Sequence, residues 1–284
     1  MGPFIRFNPE KFTEVFNDQR IAVQSMIEAM EAIGDPRETC VIEIMKTVDV
    51  FLQRLFDAVD QGKKILWHEF LFFPEIFYGF PDVHPVMAEI CAGFLPILDP
   101  EGLNPYVDAA ESFGLPADIC PADKGFLGSV LEEAMPPASV VVAPTSPCDS
   151  AVTAYQILEK LIEAPVLQCD VPYWQDERGL ELYTHHIWKM IRRVEEICGT
   201  RMDWDRCREA VRLANACIES FIEENEMRKL SPCPHPGKLG FYQFMLTCLT
   251  TGTEEGRDVS RFILEDSRRL AAEKRGPWRR RRPA

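Results

Sequence analysis

The stretch Ser139-Val-Val-Val-Ala-Pro-Thr-Ser-Pro-Cys148-Asp149 begins with a continuous apolar run and ends in a turn that carries a cysteine. A short apolar run without polar alternation is typical of a strand that is buried on both faces. Residues 150–162 continue with apolar positions at helical spacing, and Asp149 and Ser150 are residue types that favour a helix N-cap. The stretch therefore predicts a buried strand that leads through a turn into a helix, with Cys148 in the turn.

Further short apolar runs lie on both sides of this unit and alternate with helical patterns. The expected strands are residues 64–67, 94–98, 139–143 and 164–169, and the expected helices between them are residues 85–91, 105–113, 126–134 and 150–162. Strands that alternate with helices form βαβ units, in which helices cover both faces of a parallel sheet. We expect an α/β fold with a doubly wound, mostly parallel sheet, N-terminal helices and a C-terminal helical connector.

Changes in this pattern divide the chain into four segments. We expect a helical segment over residues 1–62, an α/β domain with the candidate ligands over residues 63–175, and a helical connector over residues 176–274. In the last segment, residues 275–284, five of ten residues are arginine. A basic tail can bind nucleic acid or acidic lipid, but we interpret this one as a solvated, disordered end.

The composition indicates a cytoplasmic globular protein. A net charge of −14 argues against nucleic acid as a partner, because phosphate repels an acidic surface. The sequence has neither a signal peptide nor an apolar stretch of the roughly 18 residues that a transmembrane helix needs, so no membrane partner is expected. Ten cysteines without regular spacing are interpreted as reduced thiols, of which some are free to bind metal.

Cys120 has a context comparable to that of Cys148, since it ends the segment Gly114-Leu-Pro-Ala-Asp-Ile-Cys120. We interpret both cysteines as residues that directly follow buried strands. The carboxyl ends of parallel strands form the crevice where ligands bind, so two thiols at this edge can act as metal ligands. A helix N-terminus next to Cys148 is expected to lower the pKa of its thiol. Together the two cysteines predict an iron–sulfur or other thiolate site.

The remaining cysteines are divided by their context. Those inside helical patterns are interpreted as packing residues, because free cysteines are usually buried. They are Cys40, Cys198, Cys207, Cys217 and Cys248. Cys91, Cys169 and Cys233 stay open as additional ligands. Cys233 and His235 lie in a proline-rich loop without further ligands at zinc-like spacing, which favours a rigid loop over a metal site.

At these residues the chain resembles the 2-hydroxyacyl-CoA dehydratase family, of the D-component type that also includes benzoyl-CoA reductase subunits. The resemblance rests on the segment that ends at Cys120, the Pro-Cys148-Asp149 turn, the Ala154-Tyr155-Gln156 helix and Ala164-Pro-Val-Leu-Gln-Cys-Asp-Val-Pro172. It extends more weakly over residues 63–249. The order and spacing of the motifs, more than any one of them, indicate the family.

In that family, three cysteines of each cluster-bearing subunit hold a 4Fe-4S cluster and leave one iron open. The resemblance implies that Cys120 and Cys148 are the first two ligands. It also implies that the third ligand comes from a second α/β domain, which this sequence lacks before it ends at Ala284. We expect either a truncated copy or a partner subunit that completes the site.

The resemblance implies an anaerobic lyase reaction, in which water is eliminated from a 2-hydroxyacyl-CoA through a ketyl radical to give a 2-enoyl-CoA. The implied partners are a homologous second subunit, an ATP-dependent iron–sulfur activator protein and the acyl-CoA substrate. In the loop His68-Glu-Phe-Leu-Phe-Phe-Pro-Glu75, Glu75 is a candidate polar contact or catalytic base. Phe70, Phe72 and Phe73 are interpreted as core residues.

Two alternatives stay open. A benzoyl-CoA reductase-type subunit shares these motifs and differs in its substrate. A truncated, non-catalytic partner subunit would keep the fold and dock on a complete subunit without binding a cluster.

Overall fold

Four short parallel strands form the centre of the fold. The strands are β1 (Lys64–His68), β2 (Val83–Met87), β3 (Val140–Pro144) and β4 (Val166–Cys169). Their order in the sheet is β2-β1-β3-β4, so β1 and β3 are central and β2 and β4 are the edges. This computed structural model describes residues 4–35, 37–72 and 74–277.

Helices make up most of the remaining described chain. In chain order they are α1 (Pro9–Ile33), α2 (Thr39–Asp60), a 3-10 helix (Pro74–Gly79), α3 (Ile90–Leu98), α4 (Asn104–Phe113), α5 (Pro121–Leu131), α6 (Asp149–Leu161), α7 (Glu177–Cys198), α8 (Trp204–Met227), α9 (Lys238–Thr250) and α10 (Glu254–Ala272). The predicted helical stretches before residue 62 and after residue 176 are therefore confirmed. So are the helices expected over residues 105–113, 126–134 and 150–162, with small shifts of their ends.

The sheet is covered by helices on both faces, as the apolar runs predict. Trp67 and Val141 pack on one face against residues of α1, α2, α5, α6 and α9. Leu66, Val140 and Val142 pack on the other face against the 3-10 helix, α7 and α8. Successive residues of a strand point to opposite faces, so both faces must be apolar. The doubly wound α/β fold is confirmed.

Two of the predicted elements are wrong. Residues 94–98, expected as a strand, belong to α3, and residues 83–87, of which 85–87 were expected to begin a helix, form β2. Short apolar runs do not distinguish a strand from a buried helix by periodicity. Pro85 lies within β2, although proline is rare in strands. It is tolerated there because β2 is an edge strand, where a residue without an N–H group need not break the sheet.

Among the described residues, the helices include none that combines the length and the apolar character needed to cross a bilayer. Most of the expected basic tail, residues 278–284, lies outside the described residues. The division of the chain into four segments stays a prediction.

Candidate functional site

Cys148 occupies the turn between β3 and α6, where it is the N-cap residue of the helix. Its backbone is extended, and its Sγ atom accepts a hydrogen bond from the Ala151 N–H group at 3.4 Å. Asp149 lies in the first turn, where a negative charge is favourable next to the helix dipole. The predicted strand–turn–helix unit is confirmed, and it leaves the Cys148 side chain half-buried at the carboxyl edge of the sheet.

Cys120 is the N-cap residue of α5, with Pro121 at the first helical position. The expectation that it follows a strand is wrong, because a loop from Gly114 to Ile119 connects α4 to α5 there. The positive φ of Gly114, +119°, ends α4 in a conformation that glycine adopts without strain. Cys120 is exposed.

Ser150 joins the N-termini of α5 and α6. Its Oγ atom accepts a hydrogen bond from the Cys120 N–H group at 3.3 Å, and its hydroxyl donates to Asp123 Oδ2. Since Ser150 lies two residues after Cys148, this link brings the two candidate ligands to neighbouring helix ends. The cysteines thus lie on the same edge of the fold, as the sequence predicts.

Three buried carboxylates, which we call the acidic trio, lie beside these cysteines. They are Glu69, Glu89 and Asp123. Glu69 directly follows β1, Glu89 follows β2 by one residue, and Asp123 lies in the first turn of α5. All three therefore belong to the carboxyl edge of the sheet or to the helix that starts there.

Short hydrogen bonds orient the two glutamates of the acidic trio. Glu69 Oε2 accepts from the Leu71 N–H group at 2.7 Å. Glu89 Oε2 accepts from the Phe70 N–H group at 3.1 Å, and Glu89 Oε1 accepts from the Tyr155 hydroxyl at 2.8 Å. Glu69 Oε1 and Asp123 Oδ1 are buried without a hydrogen-bond partner among the described residues. Each of these two oxygen atoms can therefore form a hydrogen bond with a ligand.

Burial is the main cause that raises the pKa of all three carboxyl groups. It raises the pKa of Glu69 to about 7, with a contribution from the charge of Asp123. The pKa of Glu89 lies well above its usual range because of burial and the charge of Glu69. Burial also raises the pKa of Asp123, although the Ser150 hydrogen bond opposes it. Burial therefore favours the protonated form of each carboxyl group, and Glu69, with a pKa of about 7, can exchange a proton near neutral pH.

The pKa of the Cys148 thiol is raised, so the expected lowering by the helix N-terminus is wrong. Burial is the largest cause, and the charges of Asp123 and Glu69 add to it. The hydrogen bond from the Ala151 N–H group lowers the pKa but does not outweigh these effects. A bound cation would reverse the balance, because metal coordination deprotonates a thiol.

The sequence was compared with known proteins and protein families. Residues 85–283 match the family described as 2-hydroxyglutaryl-CoA dehydratase, D-component. The match covers well over half of the chain and includes Cys120, Cys148 and two members of the acidic trio. The chain belongs to this dehydratase family. The resemblance drawn from the cysteine motifs is confirmed.

A curated relative of this dehydratase-family chain is the (R)-phenyllactyl-CoA dehydratase alpha subunit of Clostridium sporogenes. The two are 20% identical over 166 residues, which cover 55% of this chain and 41% of the relative. The aligned region thus spans less than half the length of that subunit. Both comparisons indicate a component of the 2-hydroxyacyl-CoA dehydratase type.

Glu75, the predicted base of this dehydratase-family chain, lies apart from the acidic trio. It is in the 3-10 helix, and its charge acts on Tyr78, Tyr183 and two cysteines of α8. Asp123 and Glu69 are the carboxylates whose charges act on Cys148. Burial raises the pKa of Glu75, and its Oε2 atom has no hydrogen-bond partner among the described residues. Its role as a base stays a prediction.

The phenylalanines of the same loop pack on opposite faces of the sheet. Phe70 packs against the apolar core that contains Trp67 and Val141, and Phe72 belongs to the core on the opposite face of the sheet. The interpretation of both as core residues is confirmed. Phe73 lies outside the described residues.

The cysteines considered as additional ligands lie in different parts of the fold. Cys91 is buried on the first face, where it accepts a hydrogen bond from Gln19, and Cys169 is buried on the second face at the end of β4. Cys248 of α9, interpreted as a packing residue, is buried and donates a hydrogen bond to the Phe70 carbonyl at 3.0 Å. Burial is the largest cause that raises the pKa of Cys248, and the charges of Glu89 and Glu69 add to it, since the cysteine lies under the loop that carries Glu69.

The sequence interpretation missed the acidic trio, although a signal for two of its members was present. Glu69 follows β1 directly and Glu89 follows β2 after one intervening residue, and a position just after a strand is the criterion applied to the cysteines. Glu89 was hidden by the wrong assignment of β2 as a helix. Asp123 had no such signal, because the packing of α5 against α6 buries it.

Proposed function

We propose that this chain is an iron–sulfur component of a 2-hydroxyacyl-CoA dehydratase-type enzyme, which converts a 2-hydroxyacyl-CoA into a 2-enoyl-CoA and water. The observation that supports it most is the pair of cysteines at the N-termini of α5 and α6, linked through Ser150. Family membership adds the reaction class. In this proposal Cys120 and Cys148 hold a 4Fe-4S cluster.

The donor set fits part of such a cluster site. Thiolates are the usual ligands of iron–sulfur clusters, and Cys120 and Cys148 supply two of them from rigid helix ends. The proton that Cys148 holds in the metal-free protein would leave on coordination. We propose that a further ligand comes from a partner subunit or another domain, since Cys91 and Cys169 are buried on opposite faces of the sheet.

When bound, the cluster would pass one electron to the thioester carbonyl and recover it after water has been lost. We propose that the acidic trio supplies the proton that this reaction needs. A proton on Glu69 Oε1, an atom without a partner among the described residues, can move to the hydroxyl at C2 as its bond to carbon breaks. The hydroxyl thus departs as water, and the C3 proton moves to the Glu69 carboxylate, which regains the proton it gave before the electron returns to the cluster. Tyr155 and the Phe70 N–H group orient the neighbouring Glu89.

We further propose that the chain works with a homologous second subunit and an ATP-dependent iron–sulfur activator protein. Large apolar side chains are exposed just after the edge strand β4 and on α7 and α8. They are Tyr173 (83% exposed), Trp174 (60%), Leu180, Trp188 and Trp204. Such a concentration of exposed aromatic residues supports a protein contact, because apolar surface of this size is costly in water.

The free thiols support a reducing location for the proposed enzyme. All ten cysteines are unpaired, and an oxidising compartment would favour disulfides. We propose that the protein acts in the cytoplasm under anaerobic conditions.

The deciding experiment is anaerobic reconstitution with iron and sulfide, of the chain alone and together with a co-purified partner subunit. We expect about four irons per cluster-bearing chain and the spectrum of a 4Fe-4S cluster. Turnover is then measured with an ATP-dependent activator, using 2-hydroxyacyl-CoA and benzoyl-CoA as alternative substrates. Reaction with benzoyl-CoA alone would support the reductase alternative, and a folded complex without iron would support the non-catalytic partner subunit.

A further inference from the structure

Three side chains from distant parts of the sequence meet on the helical side of the molecule. They are Cys40 near the start of α2, His235 in the loop before α9, and Asp266 in α10, and we call them the helical triad. Cys40 Sγ lies 3.8 Å from His235 Nε2 and 3.6 Å from Asp266 Oδ2, and the nitrogen lies 3.4 Å from that oxygen. Each ligand atom thus contacts both of the others.

These separations match the geometry of tetrahedral zinc. With bonds of about 2.3 Å to sulfur and about 2.1 Å to nitrogen and oxygen, sulfur lies about 3.6 Å from either atom and nitrogen about 3.4 Å from oxygen. The three measured distances differ from these values by about 0.2 Å or less. We propose that the helical triad is a binding site for a zinc-type divalent cation, separate from the cysteines at the sheet edge. The three side chains would leave the fourth position of a tetrahedral cation to water or another ligand.

The surroundings of the helical triad hold it in the arrangement a cation needs. Arg269 donates from Nε to Asp266 Oδ1 at 3.1 Å and from Nη2 to the same atom, which leaves Oδ2 to face Cys40 and His235. The Cys233 thiol donates to the His235 carbonyl at 3.2 Å and fixes the loop. Residues that orient the ligands in this way are typical of metal sites.

Burial favours a metal site over an exposed polar cluster. Cys40 is 2% exposed, His235 is 7% exposed, and the Asp266 side chain is 9% exposed. A hydrogen-bonded chain needs only two of the three contacts, whereas ligands of one ion must all lie close to one another. The closed triangle of sulfur, nitrogen and oxygen is the feature that a shared cation explains and a hydrogen-bonded chain does not.

The site would join segments that are far apart in the chain. Cys40 precedes the region matched by the dehydratase family, residues 85–283, whereas His235 and Asp266 lie within it. A cation at the helical triad therefore fastens the N-terminal helices to the C-terminal ones. It combines thiolate, imidazole and carboxylate donors, which suit zinc and, as a spectroscopic substitute, cobalt.

The test uses the full chain, purified, treated with a chelator and titrated with Zn²⁺ or Co²⁺. We expect one tightly bound ion per chain and, with cobalt, a thiolate-to-cobalt charge-transfer band. Cys40→Ser should abolish that band, and Asp266→Asn should weaken binding. Arg269→Gln should weaken it about 10- to 100-fold, since outer residues of metal sites have effects of this size.

Two matched controls separate this site from the proposed cluster site. Cys217→Ser changes another fully buried helical cysteine and should leave zinc binding unchanged, as should Cys148→Ser. If Cys40→Ser does not fold, His235→Gln decides, because loss of zinc from the folded variant supports the site and full retention overturns it. A folded wild-type chain that binds no stoichiometric zinc or cobalt would also overturn it.

Discussion

The edge that carries Cys120 and Cys148 differs from the helical triad in how the chain brings its ligands together. The edge cysteines are N-cap residues of neighbouring helices, and the charges of Asp123 and Glu69 act on one of them, Cys148. The helical triad joins residues 195 and 226 positions apart, and its one carboxylate is paired with Arg269. The N-cap cysteines of the first region belong to local sequence motifs, whereas the second region is built from tertiary packing alone.

The two regions also differ in charge. At the sheet edge burial raises the pKa of Cys148, and the charges of Asp123 and Glu69 add to it, so the metal-free thiol is favoured over the thiolate. In the helical triad the guanidinium of Arg269 balances the carboxylate before any cation binds. In the two proposals the edge accordingly transfers protons and the helical triad binds a structural cation.

The sharpest separation of the two regions comes from Cys148→Ser. We expect near-complete loss of iron after anaerobic reconstitution, with far-UV circular dichroism and zinc binding unchanged, because serine is a poor cluster ligand of similar size. Cys217→Ser should keep the wild-type iron content. An unchanged iron content in Cys148→Ser would refute the assignment of this cysteine.

Zinc should change the stability of the fold through the helical triad. A ligand that binds only the folded state at 100 times its Kd stabilises it by about 2.7 kcal/mol. For a chain of this size the melting temperature should rise by about 5–10 °C, measured by scanning calorimetry of chelator-treated and zinc-loaded protein. Cys148→Ser should show the same rise and Cys40→Ser none. Equal rises in all three proteins would place the zinc elsewhere.

The acidic trio should make stability depend on pH. The pKa of Glu69 is raised in the folded state from 4.5 to about 7, so the folded protein binds this proton more tightly than the unfolded chain. Its stabilisation is complete below pH 4.5 and is lost as the pH rises through about 7, by an amount on the order of 3 kcal/mol.

Glu69→Gln removes the titrating group and tests how steeply the free energy of unfolding falls as the pH rises. Urea unfolding between pH 5 and 8 should show a flatter decline than in the wild type, because glutamine has no proton to lose. Glu89 and Asp123 will keep part of the slope, since burial raises their pKa values too. Glu159→Gln, which changes an exposed glutamate, is the control and should follow the wild type. If the free energy of unfolding of Glu69→Gln falls with pH as steeply as that of the wild type, Glu69 does not bind a proton more tightly in the folded state.

The smallest effect is expected from Ser150→Ala. The variant loses the acceptor of the Cys120 N–H group and the donor to Asp123, which should cost about 1 kcal/mol of unfolding free energy in urea titrations. Ser220→Ala is the matched control, because the Ser220 hydroxyl only bonds a carbonyl of its own helix. Equal losses in both variants would mean that Ser150 does not link the two helix ends.

The fold was predictable where local pattern and tertiary role agree. β3 and α6 were recognisable because residues 140–143 are continuously apolar and Asp149 favours a helix start. Residues 83–87 and 94–98 were exchanged between strand and helix, since runs this short satisfy both periodicities. Only the pairing of β2 with β1 decides that the first is a strand.

Positions in the candidate site were predictable from the sequence where neighbouring residues determine them, but the electrostatics of the site were not. Cys148 could be placed at a strand–helix turn from its neighbours in sequence, whereas a loop precedes Cys120 and its role as a ligand stays a prediction. The direction of the Cys148 pKa shift could not be predicted, because it depends on Asp123 and Glu69, which approach only in the folded protein.

The sequence by itself determined the doubly wound α/β class, the dehydratase family and the strand–turn–helix unit that carries Cys148, because each is encoded in short stretches of neighbouring residues. Tertiary structure alone decided the burial of Glu69, Glu89 and Asp123 and the meeting of Cys40 with His235 and Asp266. Electrostatic interaction and metal coordination act over a few ångströms in space, whatever the separation along the chain.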